Sequence, residues 1–483
     1  MNQLRWIYAA AMCSVLAVSA CGGSGDDNSS DIPPQPPGVV NVFPLSNETA
    51  ASSIAEVTAT FDANMNSALA DSFTVHGSQT GKLSGIYAGD GTGSLSFSPA
   101  ANFKPGEKIE VTLTRSLTST GGAALDPPHV YRFWAEAGAG TGVFFDVQTV
   151  SGQANAIALT AGDWEGDGDL DLAAANFGAN QVGILTNDGT GNYSVSGAIA
   201  DQVGATGIVS GDWDGDGDLD LAVANFGSNT FTILENGGIG VFTLAGTISA
   251  QTGPKALTAG DWDGDGDLDL AAANSSSNSI TVLKNDGTGA FTASSIASAF
   301  AGASALVSGD WDNDWDLDLA VANFGANSVA VLENDGAGNF ATDSSVPDMI
   351  GARALAAGDW DNDGDLDLAV GNSGVNTVVI LKNDGAGAFT LASSIFGQEG
   401  VAGIVSGDWD GDGDLDLAAA NFGGNSITVL RNNGNGTFSP VSTIVSQLGV
   451  SALAAGDLNG NGLLDLAAAD NDSNSVHVLT NQP

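Results

Sequence analysis

Cysteine is nearly absent: Cys13 and Cys21 are the only two in 483 residues, so the chain beyond them can form neither an internal disulfide nor a thiolate metal site. Cationic residues are scarce as well. Eleven Lys and Arg stand against 57 Asp and Glu, and the net charge of −46 repels nucleic acid and anionic membrane surfaces. No nucleic-acid partner is expected. The three histidines, His76, His129 and His477, lie far apart in sequence, which leaves no Ser/His/Asp or Cys/His arrangement in view. Beyond Val18 no segment offers the roughly 18 consecutive apolar residues of a spanning helix. What is abundant is glycine, 67 residues, beside a 43% hydrophobic and only 14% charged composition, which suits a chain that buries a core rather than a disordered polymer or a coiled coil.

Arg5 followed by the apolar run Trp6 to Val18 reads as an export signal, too short to span a bilayer. Residues 22–38 (GGSGDDNSSDIPPQPPG) cannot bury apolar surface and read as a tether. Val18-Ser19-Ala20-Cys21 resembles the lipobox of bacterial lipoproteins. That resemblance implies a signal peptide over 1–20, acylation of Cys21 and a flexible tether over 21–38. The protein is then exported and lipid-anchored at the bacterial cell envelope, at the outer membrane or cell surface, touching the membrane through the anchor only.

From 39 to 137 short β-rich runs alternate with turns: Glu56 to Phe61, Phe73 to Val75, Ser94 to Phe97, Lys108 to Leu113 and Val130 to Trp134. The order of VTATFDANMN, SLSFSPAANFKPGEKIEVTLT and YRFWAE resembles the bacterial Ig-like domain of the SbsA type, which implies a small β-sandwich used as a spacer.

The rest is a repeat. Asp-Trp dipeptides recur every 49 residues at Asp163, Asp212, Asp261, Asp310, Asp359 and Asp408, with a degenerate copy at Asp457-Leu458, so seven units tile 141–483. Four short strands per unit predict the blades of a β-propeller. An aromatic opens each fourth strand (Tyr193, Phe242, Phe291, Phe340, Phe389, Phe438), and one step back from Tyr193 lies Phe144. The last unit lacks its fourth strand, and residues 143–150 are a spare one; pairing the two closes the ring and removes two open sheet edges. The expected fold is all-β, a seven-bladed propeller preceded by a small Ig-like β-sandwich.

Between the first two strands of each unit lies an acidic loop, D-W-[DE]-[GN]-D-G-D-L-D-L in its commonest form. Carboxylates at alternate positions of a glycine-bearing turn aim several oxygens at one point, which suits Ca²⁺. Mg²⁺ prefers a stricter octahedron with retained waters, and zinc would need His or Cys. An EF-hand fails because the twelfth position from Asp163 is Ala174, not Glu. The loops hold 32 of the 57 acidic residues, and charge packed so densely opposes folding unless a cation neutralises it.

This spacing resembles the FG-GAP or VCBS repeats of bacterial surface proteins and integrin α-subunit propellers. The resemblance implies side-chain ligands at positions one, three, five and nine and a backbone carbonyl at position seven. Copy by copy those positions are Asp163, Glu165, Asp167, Asp171 and Asp169; Asp212, Asp214, Asp216, Asp220 and Asp218; Asp261, Asp263, Asp265, Asp269 and Asp267; and Asp310, Asp312, Asp314, Asp318 and Asp316. They continue as Asp359, Asp361, Asp363, Asp367 and Asp365; Asp408, Asp410, Asp412, Asp416 and Asp414; and Asp457, Asn459, Asn461, Asp465 and Leu463. About seven Ca²⁺ sites are implied, the seventh weak because only two carboxylates remain there.

Two further departures, and one regular position, carry expectations. Trp315 replaces the position-six glycine of the fourth copy, where a sharp turn favours Gly, and a distorted site is expected. Glu165 gives the first copy a longer reach. The Trp at position two (Trp164, Trp213, Trp262, Trp311, Trp360, Trp409) is expected to pack rather than to hold a sugar.

Propellers of this kind usually meet ligands at the end opposite the metal loops. There the Asn-Phe-Gly-x-Asn turns offer amides beside an aromatic face, or simply a turn with Asn and Gly at positive φ. Lys255 and Arg353 break the symmetry at one repeat position near the channel mouth and suggest an anionic ligand such as an acidic glycan. The functional reading is a surface-anchored, calcium-binding module for adhesion to a glycan or extracellular protein. A secreted polysaccharide lyase or hydrolase on the same scaffold, and a scaffold without a ligand, are the alternatives.

Overall fold

Glycine-rich turns and short alternating runs build only strands. The computed structural model describes residues 34–249 and 251–483 and contains no helix among them. The signal peptide, Cys21 and all but the end of the tether lie outside the described residues.

Residues from Pro36 to Pro483 form one unit. Nine four-stranded antiparallel sheets make it up among the described residues, two at the start and seven along the repeat. In a typical repeat sheet the order follows the chain: Ala205–Gly211, Asp220–Asn225, Thr230–Asn236 and Phe242–Ile248. The second strand is buried on both faces, and its small residues, DLAVAN here, let neighbouring sheets approach closely. The fourth strand lies outermost and half exposed, with a bulge opposite Ile233 and Leu234 that adds twist.

Each first strand packs on the first strand of the next sheet, and Ala156–Gly162 packs on Val450–Gly456, so the circuit of innermost strands closes. The final sheet takes its fourth strand from the start of the repeat region: Phe144–Ser151 pairs with Ser475–Asn481. The closing strand therefore comes from the segment the repeat register singled out. The fold is a β-propeller.

Tryptophans fill the contacts between blades. Trp164, Trp213, Trp262, Trp311, Trp360 and Trp409 are fully buried, and each meets an aromatic that opens a fourth strand edge-on, as Trp213 meets Phe291 at 5.8 Å. Packing is their role, as expected.

The two leading sheets face each other around Phe73, Phe97, Val111, Tyr131 and Phe133. One contains Val39–Phe43, Val57–Phe61, Ser94–Pro99 and Gly85–Ala88, the other Gly81–Lys82, Phe73–Gly77, Lys108–Leu113 and His129–Trp134. Alternation along the last two strands reads as one apolar and one solvated face. The polar face is buried too, because this sheet lies on the acidic-loop end of the propeller. The sandwich is therefore docked on the propeller.

Candidate metal centre

The loop geometry follows from its residue types. In the second copy the Asp212 carboxylate accepts the N–H groups of Gly215 (2.8 Å) and Gly217 (3.0 Å), and Asp214 and Asp216 accept those two residues further on. Asp220 closes the turn by accepting Trp213 N–H (3.1 Å) and Asn236 N–H (2.8 Å). Positions four and six need positive φ, as at Gly215 (76°) and Gly217 (99°). Asn313 and Asn362 stand at position four in copies four and five because asparagine also tolerates that region.

Carboxylate oxygens from three residues converge to within 4.8 Å of one another in five copies: Asp212, Asp214 and Asp220; Asp261, Asp263 and Asp265; Asp310, Asp312 and Asp318; Asp359, Asp361 and Asp367; Asp408, Asp410 and Asp416. Positions one, three and nine meet in four of these, and one, three and five in the third copy. The position-seven side chain turns away, over the glycine of the following turn: a Cβ at Gly238 would lie 2.4 Å from Asp218 Oδ2. That leaves the carbonyl as the group position seven can offer inward.

A cation fits these residues. The position-three oxygens Asp263 Oδ1, Asp361 Oδ1 and Asp410 Oδ1 are buried without a hydrogen-bond partner, and burial drives the closing aspartates up, Asp220 and Asp416 to about 8 and Asp318 to about 9. An all-oxygen, multi-carboxylate donor set is the chemistry of Ca²⁺.

The expected distortion at Trp315 does not occur. Its N–H reaches Asp310 Oδ2 at 3.1 Å as the glycines do in other copies, at a φ of 74°, and the three carboxylates still converge. In the first copy Glu165 crowds Asp171, whose carboxyl is raised to about 8 by burial and then by that neighbour's charge. In the seventh, Asn459 Nδ2 donates to Asp465 Oδ2 (2.8 Å), a neutral amide standing among the ligand positions.

A set of asparagines braces these loops from the neighbouring blades. Asn187, Asn236, Asn285, Asn334, Asn383, Asn432 and Asn481 end the third strands, and each donates through Nδ2 to the preceding blade's loop, as Asn236 does to Trp164 O (2.8 Å) and Asn187 to Leu458 O (2.9 Å). Recurrence at every 49th position without exception was the available signal.

The sandwich touches the same ring of loops. Position-six carbonyls accept hydrogen bonds from Lys104 (to Gly168), His76 (to Gly266), Val130 N–H (to Trp315), Asn47 (to Gly364), Thr49 (to Gly413) and the linker Gly138 N–H (to Gly462). Arg132, paired with Glu110 at 2.6 Å, donates to Ser308 O, while Glu110 accepts Asp261 N–H. Thr112 adds a hydrogen bond to the Asp261 carboxylate (2.8 Å), which burial pushes well above its usual range.

At the opposite end, the Asn-Phe-Gly-x-Asn amides are committed to the fold. Asn225 is buried against Gln202 and Thr232, and Asn229 Oδ1 accepts Gly253 N–H (2.8 Å). The last Asn takes positive φ, whereas the glycine instead permits close approach: a Cβ at Gly325 would meet Ala301 O at 2.9 Å. Lys255 and Arg353 do reach one cavity together at the channel mouth.

One His/Ser/Asp group exists after all: His477 Nδ1 lies 2.7 Å from Asp146 and its Nε2 3.2 Å from Ser475 Oγ. Ser475 is buried, and Nε2 also faces Asp470 at 3.3 Å, so the group clasps the two strands that close the ring rather than presenting a nucleophile.

A model described as FG-GAP-like repeat matches residues 164–223, 212–272, 261–321, 310–370, 359–419 and 408–468, together well over half of the chain. The chain belongs to the FG-GAP-like repeat family. A model described as Bacterial Ig-like domain matches residues 33–135. No curated protein matches the chain. Among solved structures, BBS1N in complex with ARL6DN, soaked with lead, is similar at 14% identity and a TM-score of 0.52, covering 72% of this chain and 98% of that one. The mercury-soaked form of the same complex gives 14% identity and 0.51, covering 70% and 96%. These similarities in structure speak for the fold alone.

Proposed function

We propose that this FG-GAP-like chain is a calcium-stabilised, seven-bladed propeller that serves as a binding or adhesion module for a glycan or an extracellular protein. It is exported and held at the outer membrane or cell surface through an acylated Cys21. The observation that carries the reading is the convergence of three carboxylates in each of five loops at one end of the ring. Bound calcium would pin each loop, and its binding free energy adds to blade stability. About seven such sites are proposed, with the ligand positions assigned above and the seventh weakest.

The Ig-like sandwich covers that metal end, which leaves the other end of the channel for a partner. Catalysis finds no support in the histidines: His76 and His129 are buried and His477 belongs to the ring closure. A binding screen against glycans and matrix proteins, run beside an assay for products released from polyuronides, tests the reading. Binding without turnover is expected; product formation would establish an enzyme instead.

A further inference from the structure

The start of every first strand lies about 20 Å from the metal loop that follows it, at roughly 3.3 Å per residue. One repeat position there rings a cavity of about 320 Å³, with Thr206, Lys255, Ser304, Arg353 and Ser451 as its polar members. The hydroxyls stitch blades together: Thr206 donates to Pro254 O, Ser304 to Ala352 O and Ser451 to Ala156 O, each at 2.9 Å. Lys255 and Arg353 do something else. Among the described residues neither has an ion pair or a side-chain hydrogen bond. Each stands over a phenylalanine of the next blade's turn, Lys255 Nζ 6.0 Å from the Phe324 ring and the Arg353 guanidinium 5.7 Å from that of Phe422.

The placement is unfavourable by itself. Both cations are partly withdrawn from water, which lowers their pKa values, and Arg353 lowers that of Lys255 further by repulsion. In a chain with 57 acidic residues, no carboxylate lines this cavity among the described residues. Its floor is apolar, with Ile208, Leu257, Leu355, Ile404 and Leu453. The cavity has the volume of a small ligand site and holds two cations over an apolar floor, while the rings of Phe324, 47% exposed, and Phe422 stand beside those cations.

We propose that this mouth binds an acidic saccharide, its carboxylate between Lys255 and Arg353 and its sugar faces against Phe324 and Phe422. The proposal rests on the reading of the propeller as a binding module. A saccharide matches both kinds of group at once: a carboxylate for the cations and C–H faces for the aromatic rings beside them.

The test is isothermal titration of the full mature chain, in saturating calcium, with trigalacturonate, its methyl ester and inorganic phosphate. Trigalacturonate is expected to bind, the ester at least tenfold more weakly, and phosphate too weakly to displace it. K255A/R353A is expected to lose at least tenfold while keeping calcium content and melting temperature, and K255R/R353K to retain binding. Absence of trigalacturonate binding, equal binding of the ester, indifference to K255A/R353A or equal competition by phosphate would each overturn the proposal. If a neutral glycan or protein ligand is found that ignores both residues, only this site assignment fails; the binding-module reading fails when no ligand of any kind is found.

Discussion

The Trp315 indole stacks on the His129 imidazole, with ring centroids 4.0 Å apart and planes inclined by 24°. A residue in the fourth metal loop thereby joins the edge of the sandwich core, and its carbonyl accepts Val130 N–H at 3.0 Å. Restoring the repeat's usual residue should therefore harm the protein. Trp315→Gly relieves the positive φ but removes the stack, for a net loss of about 2 kcal/mol. Calorimetry should show a lower melting temperature, and protease should cut residues 136–143 faster. An unchanged or raised melting temperature would mean that Trp315 contributes nothing to docking.

Arg132 and Glu110 are paired and buried where the sandwich meets the propeller. Removing one charge strands the other, at a cost of about 3–5 kcal/mol, whereas removing both is far less harmful. Arg132→Met should destabilise strongly in urea, and E110Q/R132M should recover at least half of the loss. Equal losses in the single and double variants would show that the hydrogen bonds Arg132 donates to Ser308 O and to Ala259 O (3.3 Å), not the ion pair, hold the joint.

Burial pushes the imidazole of His129 from 6.5 down to about 4, and that of His76 likewise. Between those values the unfolded chain binds more protons than the folded one, so this contribution is whole above pH 6.5 and is lost as pH falls toward 4. His129→Phe keeps a stacking ring without the titration. Relative to wild type it should gain up to about 3 kcal/mol as pH drops from 7 to 4. Parallel stability curves for the two proteins would contradict this.

One position in the third strand sets the charge beside each loop. Glu235 and Glu333 add repulsion to Asp214 and Asp314 in the second and fourth copies. Lys284 pairs with Asp263 at 3.0 Å, Lys382 with Asp361 and Asp363, and Arg431 with Asp410 at 2.7 Å. Calcium should bind the second and fourth loops more tightly than the third, fifth and sixth. Lys382→Glu should tighten its loop about tenfold in a calcium titration; weaker or unchanged binding would refute the ranking.

Much of this was legible because a repeat states its rules seven times. Period, strand order, the acidic loop and the spare strand at Phe144 all follow from a 49-residue interval. What stayed hidden depends on one module meeting another. Trp315 looked like damage to a metal loop because nothing in its own repeat reveals His129, and the polar alternation of Lys108–Leu113 and His129–Trp134 is the same whether that face meets water or a second domain. The Ser475–His477–Asp146 group was invisible because Asp146 comes from the start of the repeat region and the other two from its last strand. Lys255 and Arg353 were visible as exceptions, and the fold added the cavity they share.

Calcium content and heat stability, measured together on the purified protein, test the central claim most directly. We expect at least five bound calcium ions, one for each converging carboxylate triad, and a melting temperature that falls by about 10 °C or more in chelator and returns when calcium is restored. A chain that binds no calcium and melts at the same temperature with and without chelator would contradict it.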